Sequence, residues 1–240
     1  MGKDTVATLV SQVTRDLPRS SVLTLRYVAA APRVQRRVKG VQPSERLIEQ
    51  ARAARLAKGT PFWHALFLLG EEGPGGVPVD IVRSALYHQD PSDDHSEFVS
   101  VDRALPDTVT RLASEVVGKA ALAIDSRVRL PNDEIKYIPM LDFSVKSEMH
   151  GGSSTARTCV EALGEPGWLV SSGRSFHFYG SRLVSATEQL DFWAKALLLT
   201  PIVDERWIAH QIRGGRAALR ISPNEKGEVP AIIWDISNPA

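Results

Sequence analysis

Apolar and polar residues alternate along Ser175–Tyr179, in the stretch SSGRSFHFYG (171–180). A period of two is that of a β-strand, whose successive side chains point to opposite faces. Aromatic residues suit such a pleated, half-buried surface. The pattern therefore predicts a strand on which Ser175 and His177 share one face, with Arg174 at its mouth. IPMLDFSV (138–145) predicts a second strand, with Met140, Asp142 and Ser144 on one face. GWLVSS (167–172), RAALRIS (216–222) and AIIWDI (231–236) read the same way. Between them the period changes to that of a helix: TARTCVEAL (155–163), SATEQLDFWAKALLL (185–199, with Ser185 or Thr187 as cap) and ERWIAHQI (205–212).

Upstream, Val22–Val28 and SEFVSVD (96–102) are strand-like, and 107–122 predicts a helix with Val109, Leu112, Val116 and Ala120 on one face. Pro43-Ser44 offers a helix start for a segment ending at Gly59, and Phe62–Leu69 and Val79–Leu86 predict two short helices. The loop between these two, GEEGPGGVP, lacks the Lys-Ser/Thr of a nucleotide-binding phosphate loop and reads as a turn. Strands alternating with helices indicate α+β layering, helices packed on a mixed or antiparallel sheet. The expected division is a basic, mainly helical N-terminal annex over 1–96 and an α/β core over 97–240.

Net charge changes this picture by its distribution. The chain of 240 residues is nearly neutral at +1, yet residues 1–60 hold twelve Lys/Arg against four Asp/Glu. A basic cluster such as Arg33, Arg36, Arg37 and Lys39 suits phosphates through counterion release, and equally a solvated helical face. The single cysteine, Cys159, rules out an internal disulfide and a Cys-ligated zinc or iron–sulfur module, and fits a reducing cytoplasm. With no run of 18 apolar residues and no apolar leader at the start, neither a membrane span nor secretion is expected. HQDPSDDHSE (88–97) resembles a metal cluster in composition only and reads as an exposed loop.

Three positions carry candidate chemistry. Asp142 places a carboxylate in an apolar strand, which is costly unless it is paired, hydrogen-bonded or metal-bound. Ser175 and His177 share the face of a neighbouring strand. Asp204, in TPIVDERWIAHQIRGG, is either the N-cap of the following helix or a second acidic ligand. Two carboxylates suit a hard divalent cation such as Mg²⁺, which takes oxygen ligands and bridges to substrate phosphates. Histidine suits a phosphate oxygen or a proton transfer better. Arg174, Arg206, Arg213, Arg216, Arg220 and Lys226 supply cations, with Arg216 and Arg220 on one face of their strand. Serine hydrolysis by Ser175 and His177 lacks a third, orienting acid.

The order strand-Asp, Ser-x-His strand, apolar-Asp and then Arg-x-Ser…Lys-Gly resembles the archaeo-eukaryotic primase superfamily over about residues 135–235. The matching segments are MLD at Asp142, SGRSFHFYG around Ser175 and His177, IVD at Asp204, and LRISPNEKGEVP with Arg220, Ser222, Lys226 and Gly227. The family's first motif has two aspartates, and the first falls at Met140 here, so the chain is similar to a divergent single-aspartate, primase 1D-like branch. The resemblance implies an RRM-like catalytic core. It implies that Asp142, His177 and Asp204 are the catalytic set and that Asp142 and Asp204 bind Mg²⁺ or Mn²⁺, one ion rather than two. It also implies phosphate contacts from Arg174, Ser175, His177, Arg216, Arg220 and Lys226, with a nucleoside triphosphate or nucleic acid as partner. Glu148 or Asp133 stands as a substitute for the missing carboxylate. The function implied is metal-dependent nucleotide polymerisation or end-transfer; the alternative is a degenerate module that binds or senses nucleic acid. Helicase or accessory partner activities would come from other protein chains.

Overall fold

The structure, a computed structural model, describes residues 6–28, 42–58, 60–73, 75–87, 96–116, 120–224 and 229–237. It divides into two compact units, residues 30–89 and residues 1–29 with 90–240.

The larger unit is α+β and its strand pairings are antiparallel. Its first sheet contains β1 (Val22–Val28), β2 (Ser96–Ser100), β3 (Ala121–Arg129), β4 (Ile135–Tyr137) and β8 (Ala218–Arg220). The order is β2-β1-β3-β4, and β8 also pairs with β3. The second sheet runs β5-β7-β6-β9, from β5 (Met140–Asp142), β7 (Phe176–Gly180), β6 (Gly167–Ser171) and β9 (Ala231–Ile236). Helix α1 (Val6–Val13) buries Val6, Leu9, Val10 and Val13, and α5 (Leu105–Glu115) buries Leu105, Val109 and Leu112. These join Leu23, Leu25, Leu122 and Ile124 of the first sheet in one core. α6 (Gly152–Leu163) and α7 (Ala186–Leu197) add Ala156, Cys159, Phe192 and Trp193 to it, and the rings of Phe178 and Phe192 lie 6.2 Å apart. Ser185 caps α7 through a capping box with Glu188. α8 (Glu205–Gly214) follows Asp204.

Two expectations meet a different chain path. The helix expected over 107–122 stops at Glu115, and Ala121–Arg129 forms β3, paired with β1, β4 and β8. Ala121–Ser126 is buried throughout, and a strand buried on both faces loses the alternation that would set it apart from a helix. Likewise β1, expected within the N-terminal annex, lies between β2 and β3 in the core sheet. No described helix is long and apolar enough to cross a membrane.

The smaller unit packs α2 (Gln42–Lys58), α3 (Phe62–Glu71) and α4 (Val79–Ala85) around Leu47, Ile48, Ala51, Ala65, Leu66 and Ile81. Ser44, expected near the helix start, lies inside α2 and donates its hydroxyl to Asp80 at 2.8 Å.

Candidate functional site

Strand pairing decides which side chains meet. In the β5–β7 ladder Asp142 lies directly opposite His177, and Met140 opposite Tyr179. On the other side of Asp142, Phe143 bridges Val203, Asp204 N–H donates to the Asp142 carbonyl at 2.9 Å and Ser144 N–H to that of Ile202 at 2.8 Å. Residues opposite one another on antiparallel segments share a face. His177, Asp142 and Asp204 therefore form a row across three neighbouring backbone segments.

Asp204 is the N-cap of α8: its Oδ1 accepts from Trp207 N–H at 2.8 Å. The capping role and the place in the row coexist, because a cap uses one carboxylate oxygen. His177 Nε2 lies 3.8 Å from Asp142 Oδ1, beyond hydrogen-bond reach. Burial, followed by the Arg220 charge, depresses the imidazole pKa to about 3, so the ring is neutral and the contact is no ion pair. Its Nδ1 is buried and has no hydrogen-bond partner among the described residues.

Arg220 stands beside this row. Its guanidinium donates to the carbonyls of Ser172, at 2.7 Å, and Ser222, while the Tyr179 hydroxyl donates to its own carbonyl at 3.1 Å. Burial lowers the Arg220 pKa, and Tyr179 and Asp142 oppose that shift. Burial raises that of Tyr179, which keeps the phenol protonated as a donor. Ser222 Oγ accepts from Leu122 N–H at 2.8 Å, anchoring this segment to β3.

Other expected residues have different surroundings. Ser175 is buried, and its hydroxyl donates to the carbonyls of Phe143 and, at 2.8 Å, Val145, so it ties β7 to the segment after β5. Arg174 is exposed in the β6–β7 turn. Arg216 Nε lies 3.7 Å from Asp125 Oδ2, on the first sheet. Met140 is fully buried, and its carbonyl accepts from Trp193 Nε1 at 3.1 Å. Asp133 pairs with Arg129 at 3.5 Å, and Glu148 is exposed. Lys226 lies outside the described residues, as do Arg33–Lys39 and residues 88–95. Among the described residues no three His, Cys, Asp or Glu side chains gather as a metal-binding group.

Tyr179 was not among the expected site residues, although extending the alternation two positions beyond His177 places it on the same face. Asp125 was hidden with the strand that carries it. Asp125 is fully buried against Arg26, with Nε to Oδ2 at 2.5 Å, and Arg127 Nε is 3.4 Å from its Oδ1.

No curated protein and no solved structure matches the chain. A family model described as archaeo-eukaryotic primase 1D-like matches residues 105–233. The match begins at α5, upstream of the segment where the motif resemblance starts, and includes β3 as well as Asp142, His177, Asp204 and Arg220. It spans more than half of the 240 residues, and the chain belongs to the archaeo-eukaryotic primase 1D-like family.

Proposed function

We propose that the row of His177, Asp142 and Asp204, with Arg220 beside it, binds the phosphates of a nucleotide together with one divalent cation, Mg²⁺ or Mn²⁺, and transfers that nucleotide to a nucleic-acid end. A nucleotidyltransferase-like, nucleic-acid-related function stands at the level of the family. The observation that carries the reading is the opposition of two carboxylates across paired backbone, with an arginine within electrostatic reach of Asp142. Like charges directly opposite destabilise a sheet pair, and an intervening cation reverses that sign. The donor set fits one hard cation that keeps several waters, and is too small to clamp two. Asp142 and Asp204 would hold this ion, which supplies charge neutralisation at the phosphates.

The remaining work falls to the chain's own groups. Arg220, aimed by two carbonyls and the Tyr179 hydroxyl, offers a fixed positive charge to a phosphate oxygen. His177, neutral in its buried site, can donate one N–H to phosphate without giving up an acidic proton. Rate enhancement would come from positioning and preorganised charge rather than from a covalent intermediate. Primer-extension and de novo synthesis assays with Mg²⁺ or Mn²⁺ test this: labelled product that disappears in Asp142→Ala supports transfer. No product at any divalent concentration, alongside salt-dependent nucleic-acid binding, overturns it.

That second outcome is the alternative reading, a binding or sensing module without polymerase activity. Met140 favours it: the position that the motif resemblance matches to the first aspartate of the wider primase superfamily holds a fully buried thioether.

A further inference from the structure

We propose that β2 is a dimerisation edge: two copies of the chain pair their β2 strands antiparallel about a two-fold axis at Phe98, joining their first sheets into one. The surface lies outside the nucleotide site, and the pairing does not depend on the function proposed above.

The register shows which backbone groups of β2 are open. Val101 N–H donates to the Ser21 carbonyl at 2.8 Å, and along the same ladder Val99 lies opposite Leu23 and Glu97 opposite Leu25. Hydrogen-bonded pairs alternate with non-hydrogen-bonded ones in an antiparallel ladder, so Val101, Val99 and Glu97 bond the β1 side. The N–H and C=O groups of Ser96, Phe98 and Ser100 therefore point away from β1. β2 ends the sheet order, and no described strand pairs with them. The other strand edges are guarded. β4 and β8, both beside β3, are three residues long. Beyond β5, Phe143 bridges Val203 and Asp204 N–H donates to the Asp142 carbonyl. The β6–β9 register shifts between Leu169 and Val170, which leaves Ile233 as a bulge in β9. Short strands, bulges, lysine and proline are the devices that keep edges from pairing. β2 has an unbroken register and neither lysine nor proline, and its one charged residue, Glu97, engages the Tyr27 hydroxyl.

The strand complements itself. SEFVS (96–100) turned end for end about Phe98 sets Phe98 opposite its counterpart in the second copy, Ser96 opposite Ser100 and Glu97 opposite Val99. Every outward residue then meets an outward residue, and with two bonds for each such pair about six hydrogen bonds cross the axis. Neighbouring registers are worse. Centring on Glu97 would put two carboxylates directly opposite, which destabilises a sheet pair. Centring on Val99 would leave Ser96 without a partner inside the strand. Phe98 supplies the apolar contact: its side chain is 69% exposed, whereas that of Val99 is buried. Across the axis two Phe98 rings face one another, and aromatic pairs are among the stabilising cross-strand pairs. Such a contact uses the same patch on both copies and closes on itself as a dimer.

The test is sedimentation of the full chain over a concentration series, with no nucleotide or metal added. The wild type is expected to pass from monomer to dimer with a Kd of about 10 μM, as suits a small interface. Phe98→Lys places a charge on the axis and is expected to weaken the dimer by about tenfold or more. Ser100→Pro removes an outward N–H without breaking a bond to β1, and is expected to weaken it by about tenfold. Amide hydrogen exchange read by NMR locates the contact. In concentrated protein the Ser96, Phe98 and Ser100 amides are expected to exchange about tenfold more slowly than in dilute protein, while Val99, already bonded to β1, is protected in both. A chain that stays monomeric overturns the proposal, as does a dimer that either substitution leaves intact. Protection that rises elsewhere and not at Ser96, Phe98 and Ser100 also overturns it. Phe98→Lys, at so exposed a position, is expected to melt like dilute wild type, which excludes misfolding as the cause of a loss. Should Ser100→Pro fail to fold, Phe98→Lys alone decides.

Discussion

Two aspartates, one on each sheet of the larger unit, meet opposite surroundings. Asp125 on β3 is fully buried, with Arg26, itself 1% exposed, at 2.5 Å and Arg127 and Arg216 close by. Asp142 on β5 has a side chain 28% exposed and lies between a neutral histidine and the position of a second carboxylate. Charge on Asp125 is answered inside the protein by guanidiniums, so it ties β1, β3 and the segment before β8 together. Under the proposed function, charge on Asp142 would be met by a cation brought from solution. One residue type thus serves structure on one sheet and, in the proposed function, chemistry on the other, and the neighbours decide which.

The comparison breaks first on stability. Asp125→Ala leaves a buried guanidinium without its carboxylate and should cost about 3–5 kcal/mol, whereas Asp142→Ala, at a partly exposed position, should stay within about 0.5 kcal/mol. Urea denaturation of the two variants measures both; equal losses would erase the distinction.

A second effect is in the pH dependence of stability. His177 has a folded pKa of about 3, below its unfolded value of about 6.5. Its contribution is fully present above pH 6.5 and is lost as pH falls towards 3, because the unfolded chain takes up the proton first. Within that window it should remove about 1.4 kcal/mol per pH unit. Denaturation midpoints of His177→Gln should fall less steeply with acid than those of the wild type; parallel curves would mean that His177 is charged in the fold.

Smaller effects sharpen the site. Tyr179→Phe removes the hydroxyl that holds the Arg220 carbonyl and should cost about 1 kcal/mol, measured by thermal unfolding. At Asp204 the cap and the charge can be separated. Asparagine caps as well as aspartate, so Asp204→Asn should keep stability, while Asp204→Ala loses about 1 kcal/mol. Both should lose divalent-dependent nucleotide binding, as read by calorimetry.

Much of the second half was legible in the sequence because local pattern and fold agree there. The period-two stretch around His177, the cap at Ser185 (one of two positions offered) and the cap at Asp204 (one of two roles offered) each rest on interactions within a few residues. The motif order placed Asp142, His177 and Asp204 in neighbouring segments. What stayed hidden depends on distant pairing. β3 is buried along most of its length and carries no alternation to separate strand from helix, and β1 joins it only through antiparallel pairing across the chain. With β3 hidden, Asp125 stayed unnoticed, and Arg216, grouped with Arg220 by alternation, gave no sign of its carboxylate partner. Ser175 shares polarity with His177, but its hydroxyl is taken up by the carbonyls of Phe143 and Val145, a contact no local pattern encodes.

The most direct measurement is Mn²⁺-dependent binding of a nucleoside triphosphate to the wild type, Asp142→Asn and Asp204→Asn, each first shown to melt like the wild type. Manganese should tighten nucleotide binding to the wild-type protein at least tenfold and leave both variants unchanged. Equal tightening in all three proteins would contradict a cation site built on the two opposed aspartates.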